Sequence, residues 1–249
     1  MSQPNMEFTV AAYSELVSAA AKRYRFVRFA EFSTEGVAAL WRHDIDFSPQ
    51  RALELARVEA ANGVRTTYFV QISSRYYSVF EPEIAAILRQ IVALGHDIGL
   101  HFDAEVCAHL ATPDYDRRIA FEARALEEVA ETGVAAFTLH NPTTLVGVSL
   151  NEPYRAGLVN GSCSDLRATY SYCSDSNGLW RYRSLAEMIA DPSVSRLYVL
   201  THPEWWQLEP MPPRQRLQRC IDGRRAYLEN YYDALLSTNN RPNIGRKEN

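Results

Sequence analysis

The sequence predicts an α/β fold: a mainly parallel sheet curled into a barrel, with helices outside it. Three observations predict it. Runs rich in β-branched and aromatic residues alternate with amphipathic helical stretches from residue 37 to residue 202. The 249 residues are enough for one large barrel domain. Finally, strand after strand ends in His or Asp, and parallel α/β folds gather their strand C-termini on one face.

Residues 9–23 read as an amphipathic helix, with Val10, Tyr13, Leu16, Val17 and Ala20 at helical spacing. Phe26 to Phe29 is extended, and with that helix it covers the bottom or side of the barrel. The first strand with a charged tip is Val37 to Asp44. Ser48 caps the next helix with Pro49 at its first position, and Gly63 stops it. Thr66 to Ile72 forms the second strand. A helix from Glu81-Pro82 to Gly95 leads to the third strand, Asp97 to Asp103. The following helix starts at Thr112-Pro113 and ends at Gly133, and Ala135 to His140 is the fourth strand. Residues 147–168 give no clear assignment. Tyr170 to Ser174 is a fifth strand, Arg183 to Ala190 a short helix, and Leu197 to His202 a last strand. Residues 213–237 form a closing helix. The domain covers 1–237, and the polar tail 238–249 is expected to be disordered.

Composition narrows the function classes. A hydrophobic content of 47% with 22% charged residues fits neither a disordered chain nor a membrane protein. The net charge of −4 speaks against a nucleic-acid binder. There is no apolar run of bilayer length and no secretory pattern at Met1 to Asn5, so a cytoplasmic protein is expected. Cys107, Cys163, Cys173 and Cys220 lack CxxC spacing and read as free thiols. Oligomeric state has no sequence signal.

The chemistry sits at the strand tips. Strand one ends in His43-Asp44-Ile45-Asp46, strand three in His101-Phe102-Asp103, strand four in His140-Asn141-Pro142, the fifth at Asp175 and the last in His202-Pro203. Asp and His together suit a divalent metal such as zinc, whose catalytic sites hold three protein ligands and an open position. A nearby carboxylate can serve as base and an imidazole as acid. Strand alternation points Asp44 and Asp46 to one side and His43 to the other, where packing between strand and helix is expected. His96, at the start of a strand, reads as a structural histidine and His109 as a solvated one. Asp103 suits substrate binding and turn capping equally.

These motifs resemble the polysaccharide deacetylase family, the metal-dependent carbohydrate esterases of the NodB-homology type. The likeness is to the members encoded with O-antigen or capsule biosynthesis. It is carried by Arg42 to Ser48, Gly95 to Asp103, His140-Asn141-Pro142, Ser174 to Arg181 and Leu200 to Trp206. The resemblance implies a distorted (β/α) barrel of about seven parallel strands. It implies Asp44 as catalytic base and Asp46 as metal ligand, although Ile45 separates two carboxylates that the family holds adjacent. His101 matches the first His of the family's His-x-x-x-His ligand pair, while the second falls on Glu105. The third ligand is therefore His140 or Glu105, with His140 preferred because it stands at a strand tip. His140 also occupies the place of the family's oxyanion Arg, a role open to Arg42 or Arg181. His202 matches the general acid, Asp175 the residue that tunes it, and Trp180 the aromatic lining of the pocket. Trp205 and Trp206 offer flat faces to a sugar, and suit hydrophobic cover equally.

The resemblance thus implies a metal-dependent amide hydrolase, with zinc as first choice, that deacetylates an N-acetylated sugar of a bacterial surface polysaccharide. Asp44 and His202 are its catalytic residues, and Asp46, His101 and His140 its metal ligands. Arg42, Asp103, Asp175, Trp180 and Trp205 line the substrate. Two alternatives stand beside it: a degenerate member that binds sugar or acts as a scaffold, and a hydrolase of a non-sugar amide.

Overall fold

The computed structural model describes residues 8–31, 35–107, 109–110, 114–141 and 150–245. Helix α1 spans Val10–Ala21, and the Thr9 hydroxyl caps it by accepting from the Ala12 N–H at 3.1 Å. Strand β1 (Arg25–Val27) precedes the central strand β2 (Ala38–Ile45), every residue of which is buried. Helix α2 (Pro49–Ala61) begins at Ser48 as expected. Its Oγ accepts from Arg51 N, and Pro49 fills a position where no N–H is required. There follow β3 (Thr67–Val70), α3 (Pro82–Ala93), β4 (Asp97–Phe102), α4 (Tyr115–Ala130) and β5 (Ala136–Leu139). The remaining elements are β6 (Tyr154–Arg155), β7 (Leu158–Asn160), α5 (Ser164–Thr169), β8 (Ser171–Ser174), α6 (Leu185–Ala190), β9 (Arg196–Thr201) and α7 (Pro213–Thr238).

The strands form one curled sheet in the order β6-β7-β5-β4-β3-β2-β9-β8, with β1 paired to the first half of β2. Every pairing is parallel except β6 with β7. Parallel pairing needs crossovers, and these supply the outer helices. Among the described residues nine strands stand where about seven were expected. Beside the six strands assigned from the sequence are β1, within the stretch expected to be extended, and the hairpin β6–β7 inside the unassigned stretch. Ala156 and Gly157 turn that hairpin with φ of 50° and 81°. A two-residue turn of this kind favours Asn-Gly or Asp-Gly, so Ala-Gly gave no recognisable signal.

Alternation along each strand separates the packing. Even-numbered β2 residues Ala38 and Leu40 face inward and pack with Phe29, Phe69, Ala136, Val159 and Tyr198. Odd-numbered Ala39 and Trp41 face outward, against a cluster that includes Tyr13, Leu55 and Trp206. A larger outer cluster joins Ile98, Leu100 and Phe102 of β4 to α3 and α4. Burying each large apolar side chain contributes about 1.5–3 kcal/mol. The curl draws β9 toward the segment after β7, where the Tyr198 hydroxyl donates to the Gly161 carbonyl at 2.5 Å.

Three boundaries differ from the sequence expectation. Thr112 and Pro113, the expected start of α4, lie outside the described residues, and Asp114 caps the helix by accepting from Arg117 N at 3.0 Å. Glu131 in the left-handed region ends it, two residues before Gly133. Beyond α7 the chain is not simply a loose tail. Arg241 N donates to the Leu236 carbonyl and the Asn243 amide to Asp233, so residues 239–245 fold back on the helix end. Among the described residues, no helix is long and apolar enough to cross a membrane. All four cysteines are free thiols.

Candidate metal centre and active site

Inward alternation continues past the packed interior to the strand tips. On β2 it brings Arg42, Asp44 and then Asp46 to the inner side, and on β4 it brings Gly99, His101 and then Asp103. His140 follows the last residue of β5, and His202 the last of β9. Asp46, His101 and His140 meet there, each offering one ligand atom. Asp46 Oδ1 lies 3.2 Å from His101 Nε2 and 3.4 Å from His140 Nδ1, and the two imidazole nitrogens lie 3.2 Å apart. A tetrahedral zinc with bonds of about 2.0–2.1 Å separates its donors by about 3.3–3.4 Å. The triangle therefore has the edge of one tetrahedral face.

The groups around the triangle suit a cation. Asp46 Oδ1 is buried and has no aligned hydrogen-bond partner. The Thr138 hydroxyl lies 2.8 Å from His101 Nδ1. Accepting a proton there leaves the Nε2 lone pair for the centre. The Asn141 amide lies 2.8 Å from His140 Nε2. With its oxygen toward the ring, which is the flip-related orientation, it accepts Nε2–H and leaves Nδ1 as a donor atom. Burial alone would raise the Asp46 pKa, but the adjoining imidazoles hold the carboxyl well below the carboxylate range. Burial would lower the His140 pKa, yet Asp46 raises it. These three residues fit a divalent cation. Glu105 does not join them, being half exposed and 3.8 Å from Arg75.

Asp44 stands beside the triangle, with Oδ2 3.7 Å from His101 Nε2 and 3.1 Å from Arg42 Nη2. Its Oδ1 is buried without a partner. Arg42 is buried too, donates to the Tyr198 hydroxyl at 2.8 Å and lies over the Phe69 and Tyr198 rings. That enclosure fixes Arg42 beneath Asp44 rather than at a substrate oxygen. His202 is held by Asp175, whose carboxylate accepts from its backbone N–H at 3.0 and 3.1 Å and lies 2.7 Å from Nδ1. Burial would lower the His202 pKa, but Asp175 outweighs it and brings the value to about 10.

Several expected substrate residues stand elsewhere. Asp175 is fully buried, so it reaches His202 and not a ligand. Asp103 caps the turn after β4 by accepting from Glu105 N at 2.9 Å. Trp180 stacks on Phe8 at 5.2 Å, over the outer cluster next to α1. Trp205 is half-buried, with its indole nitrogen enclosed and without a partner. Trp206 has no exposed surface to offer a sugar and instead donates to Asp175 at 2.9 Å. Arg181 is exposed, and Pro142 lies outside the described residues.

Two buried carboxyls beside the catalytic strands carry no mark in the sequence. Glu204 is buried with both oxygens unpartnered, and burial pushes its carboxyl well above the usual range. Glu59 lies behind β2, fully buried, bound by Tyr13, Tyr68, Thr66 and His43. His43 indeed faces away from Asp44, and His96 is a core histidine 2.9 Å from the Ala56 carbonyl. His109 is exposed. A strand-facing Glu at helical position 59 carries no local mark that distinguishes it from a solvated one.

No protein-family model matches the sequence, and no curated protein matches it. Solved structures do. The similarities are to carbohydrate esterases. A family 4 carbohydrate esterase from Bacillus anthracis is 14% identical, with a TM-score of 0.44, over 90% of this chain and 89% of that one. The chitin deacetylase of Colletotrichum lindemuthianum is 15% identical, with a TM-score of 0.43, over 77% and 84%. A family 4 acetyl xylan esterase from Clostridium thermocellum, solved with a cobalt ion, is 17% identical, with a TM-score of 0.39, over 82% and 92%.

Proposed function

We propose that the chain is a divalent-metal-dependent deacetylase of an N-acetylated sugar, serving surface-polysaccharide biosynthesis as the motif resemblance implies. The observation that carries the proposal is the Asp46–His101–His140 donor triangle, with Asp44 beside it and His202 just past the end of β9. Those three residues would hold the cation, zinc by preference for its donor set. A cation there supplies Lewis-acid activation of the acyl group and of water.

The chain's own groups then divide the proton work. Asp44 Oδ1, unpartnered while Arg42 holds Oδ2, accepts the proton of the attacking water. Water oxygen bonds to the acyl carbon, and the tetrahedral intermediate collapses with cleavage of the carbon–nitrogen bond. The departing nitrogen takes a proton from the His202 imidazolium, which Asp175 keeps charged at neutral pH. Acetate and a free amine result.

The test is metal analysis of protein purified without chelator, together with acetate release from N-acetylated amino sugars. About one divalent ion per chain is expected, and Asp46→Ala should lose both ion and turnover. Protein that holds no ion and releases no acetate, yet binds sugar, would instead be the binding module considered from the sequence.

A further inference from the structure

A cleft opens one residue beyond Asp46, between the first turn of α2, the loop after β3 and the outer flank of α7. Its cavity volume is about 320 Å³. Phe47, the residue after Asp46, and Tyr76 line it together, their ring centroids 4.0 Å apart. Arg51, Arg219 and Arg224 face the cleft, with Tyr227 beside them. Such a density of guanidinium groups in a concave site needs counter-charge from the protein or from a ligand.

The protein supplies only part of it. Arg224 is neutralised by Glu81 through a two-pronged pair at 2.6 and 2.7 Å. Arg51 donates to the Trp206 carbonyl at 3.1 and 2.6 Å, a neutral acceptor that leaves its charge in place. Among the described residues, no carboxylate lies within ion-pair distance of Arg219. Glu83, the acid that lines the cleft, accepts from Gln50 at 3.4 Å and keeps its charge, so two unpaired guanidinium groups face one carboxylate. The first turn of α2 adds the positive end of a helix on the same side. Guanidinium forks match phosphate oxygens in pairs, and aromatic walls suit the sugar or base that such a phosphate carries.

We propose that this cleft is a phosphoryl subsite: it holds the phosphate ester of a phosphate-linked amino sugar, while the N-acyl group lies at the Asp46–His101–His140 centre. The proposal rests on the deacetylase reading for its orientation. Two chain steps separate Asp46 from Ser48, at most ~7.6 Å of backbone, a gap that a diphosphate on the anomeric carbon, next to the carbon bearing the acyl nitrogen, can bridge.

The experiment separates the two proposals. Inorganic pyrophosphate is titrated calorimetrically into metal-free protein and into Asp46→Ala, so that phosphate capture by the metal cannot contribute. Binding is expected in both, weakened at least tenfold by Arg219→Glu and unchanged by Arg225→Glu, whose guanidinium pairs with Glu229 instead. No binding, or equal binding with and without Arg219→Glu, overturns the subsite. In the metal-loaded wild type, UDP-N-acetylglucosamine should be deacetylated with a KM that Arg219→Glu raises at least tenfold, with kcat unchanged. A polyprenyl-diphosphate N-acetylhexosamine in detergent micelles is run in parallel, and the lower KM names the natural phosphate carrier. If no sugar is deacetylated while pyrophosphate binds through Arg219, the enzymatic assignment fails and the subsite stands.

Discussion

His202 Nδ1 lies 2.7 Å from Asp175, a carboxylate with no exposed surface that the Trp206 indole also engages at 2.9 Å. An imidazole on such a partner is an acid at neutral pH. Its folded pKa of about 10 stands above the ordinary 6.5. The stability it contributes is therefore complete below 6.5 and lost as pH rises through about 10. Asp175→Asn should bring the titration of the ring back toward 6.5. It should also move the alkaline limb of the pH–rate profile down by the same interval. Removing one partner of a buried pair costs about 3–5 kcal/mol. The stability gap between wild type and Asp175→Asn should accordingly narrow between neutral and strongly alkaline pH. Proton NMR of His202 and thermal unfolding across that range check both effects, and a ring that still titrates near 10 in the variant would rule out Asp175 as the cause.

The third metal ligand offers a sharper comparison. His140→Ala removes one corner of the 3.2–3.4 Å triangle, whereas Glu105→Ala removes a carboxylate that pairs outward with Arg75. His140→Ala should weaken zinc or cobalt affinity by two orders of magnitude or more, and Glu105→Ala should leave it within a factor of two. Competition with a chromophoric chelator measures both. Because His140 titrates above 6.5, protons compete for it as pH falls, and metal affinity should decline toward acid.

What the sequence showed and what it hid have physical causes. Strand tips were legible because alternation is strict: with Asp44 on β2 and Asp46 two residues on, just past its end, both face inward and His43 outward. His140 could be preferred over Glu105 on position alone, and the donor triangle contains it. Aromatic residues were ambiguous, since Trp180 and Trp206 look the same in sequence whether they bind sugar or close a core. Only the docking of Phe8 and α1 decides that these two pack inward. Arg42 was equally ambiguous. Its burial under Asp44 depends on Tyr198, 156 residues away, a contact that no local pattern encodes. The hairpin at Tyr154–Asn160 was hidden because strands of two and three residues show no periodicity.

Gly99 is a packing requirement of the barrel interior. A Cβ there would sit 2.4 and 2.5 Å from the Phe69 ring, which is itself fully buried against Phe29. The ring has no open space to yield into, and Gly99 stands two residues before His101 on the same face. Gly99→Ala should cost about 1–3 kcal/mol, as overpacking does. It should also weaken the metal centre more than Gly133→Ala, where a Cβ meets nothing within 4 Å. Urea denaturation of the two variants, with metal stoichiometry, makes the comparison.

Glu59 binds β2 and β3 from behind, through His43 and Tyr68, and His43 carries the network on to β9. His43 joins them, with Nε2 2.7 Å from Glu59 and Nδ1 2.7 Å from the Thr201 hydroxyl, so the residues next to Asp44 and His202 share one buried ring. Burial alone would raise the Glu59 pKa, but His43, His96 and the Tyr13 hydroxyl bring it down to about 2. A depressed carboxyl contributes stability that is present above its ordinary 4.5 and lost as pH falls through about 2. Glu59→Ala leaves His43, Tyr13 and Tyr68 without their shared acceptor, which should cost about 3–5 kcal/mol at neutral pH. Glu59→Gln keeps the shape and one acceptor oxygen, so its loss should be smaller. Wild type and Glu59→Ala should converge in stability in strong acid, a convergence that a simple cavity effect would not produce. Chemical denaturation from neutral pH down to about pH 2 reads it directly. A gap that stays constant throughout would show that the charge of Glu59 contributes nothing to holding the two catalytic strands together.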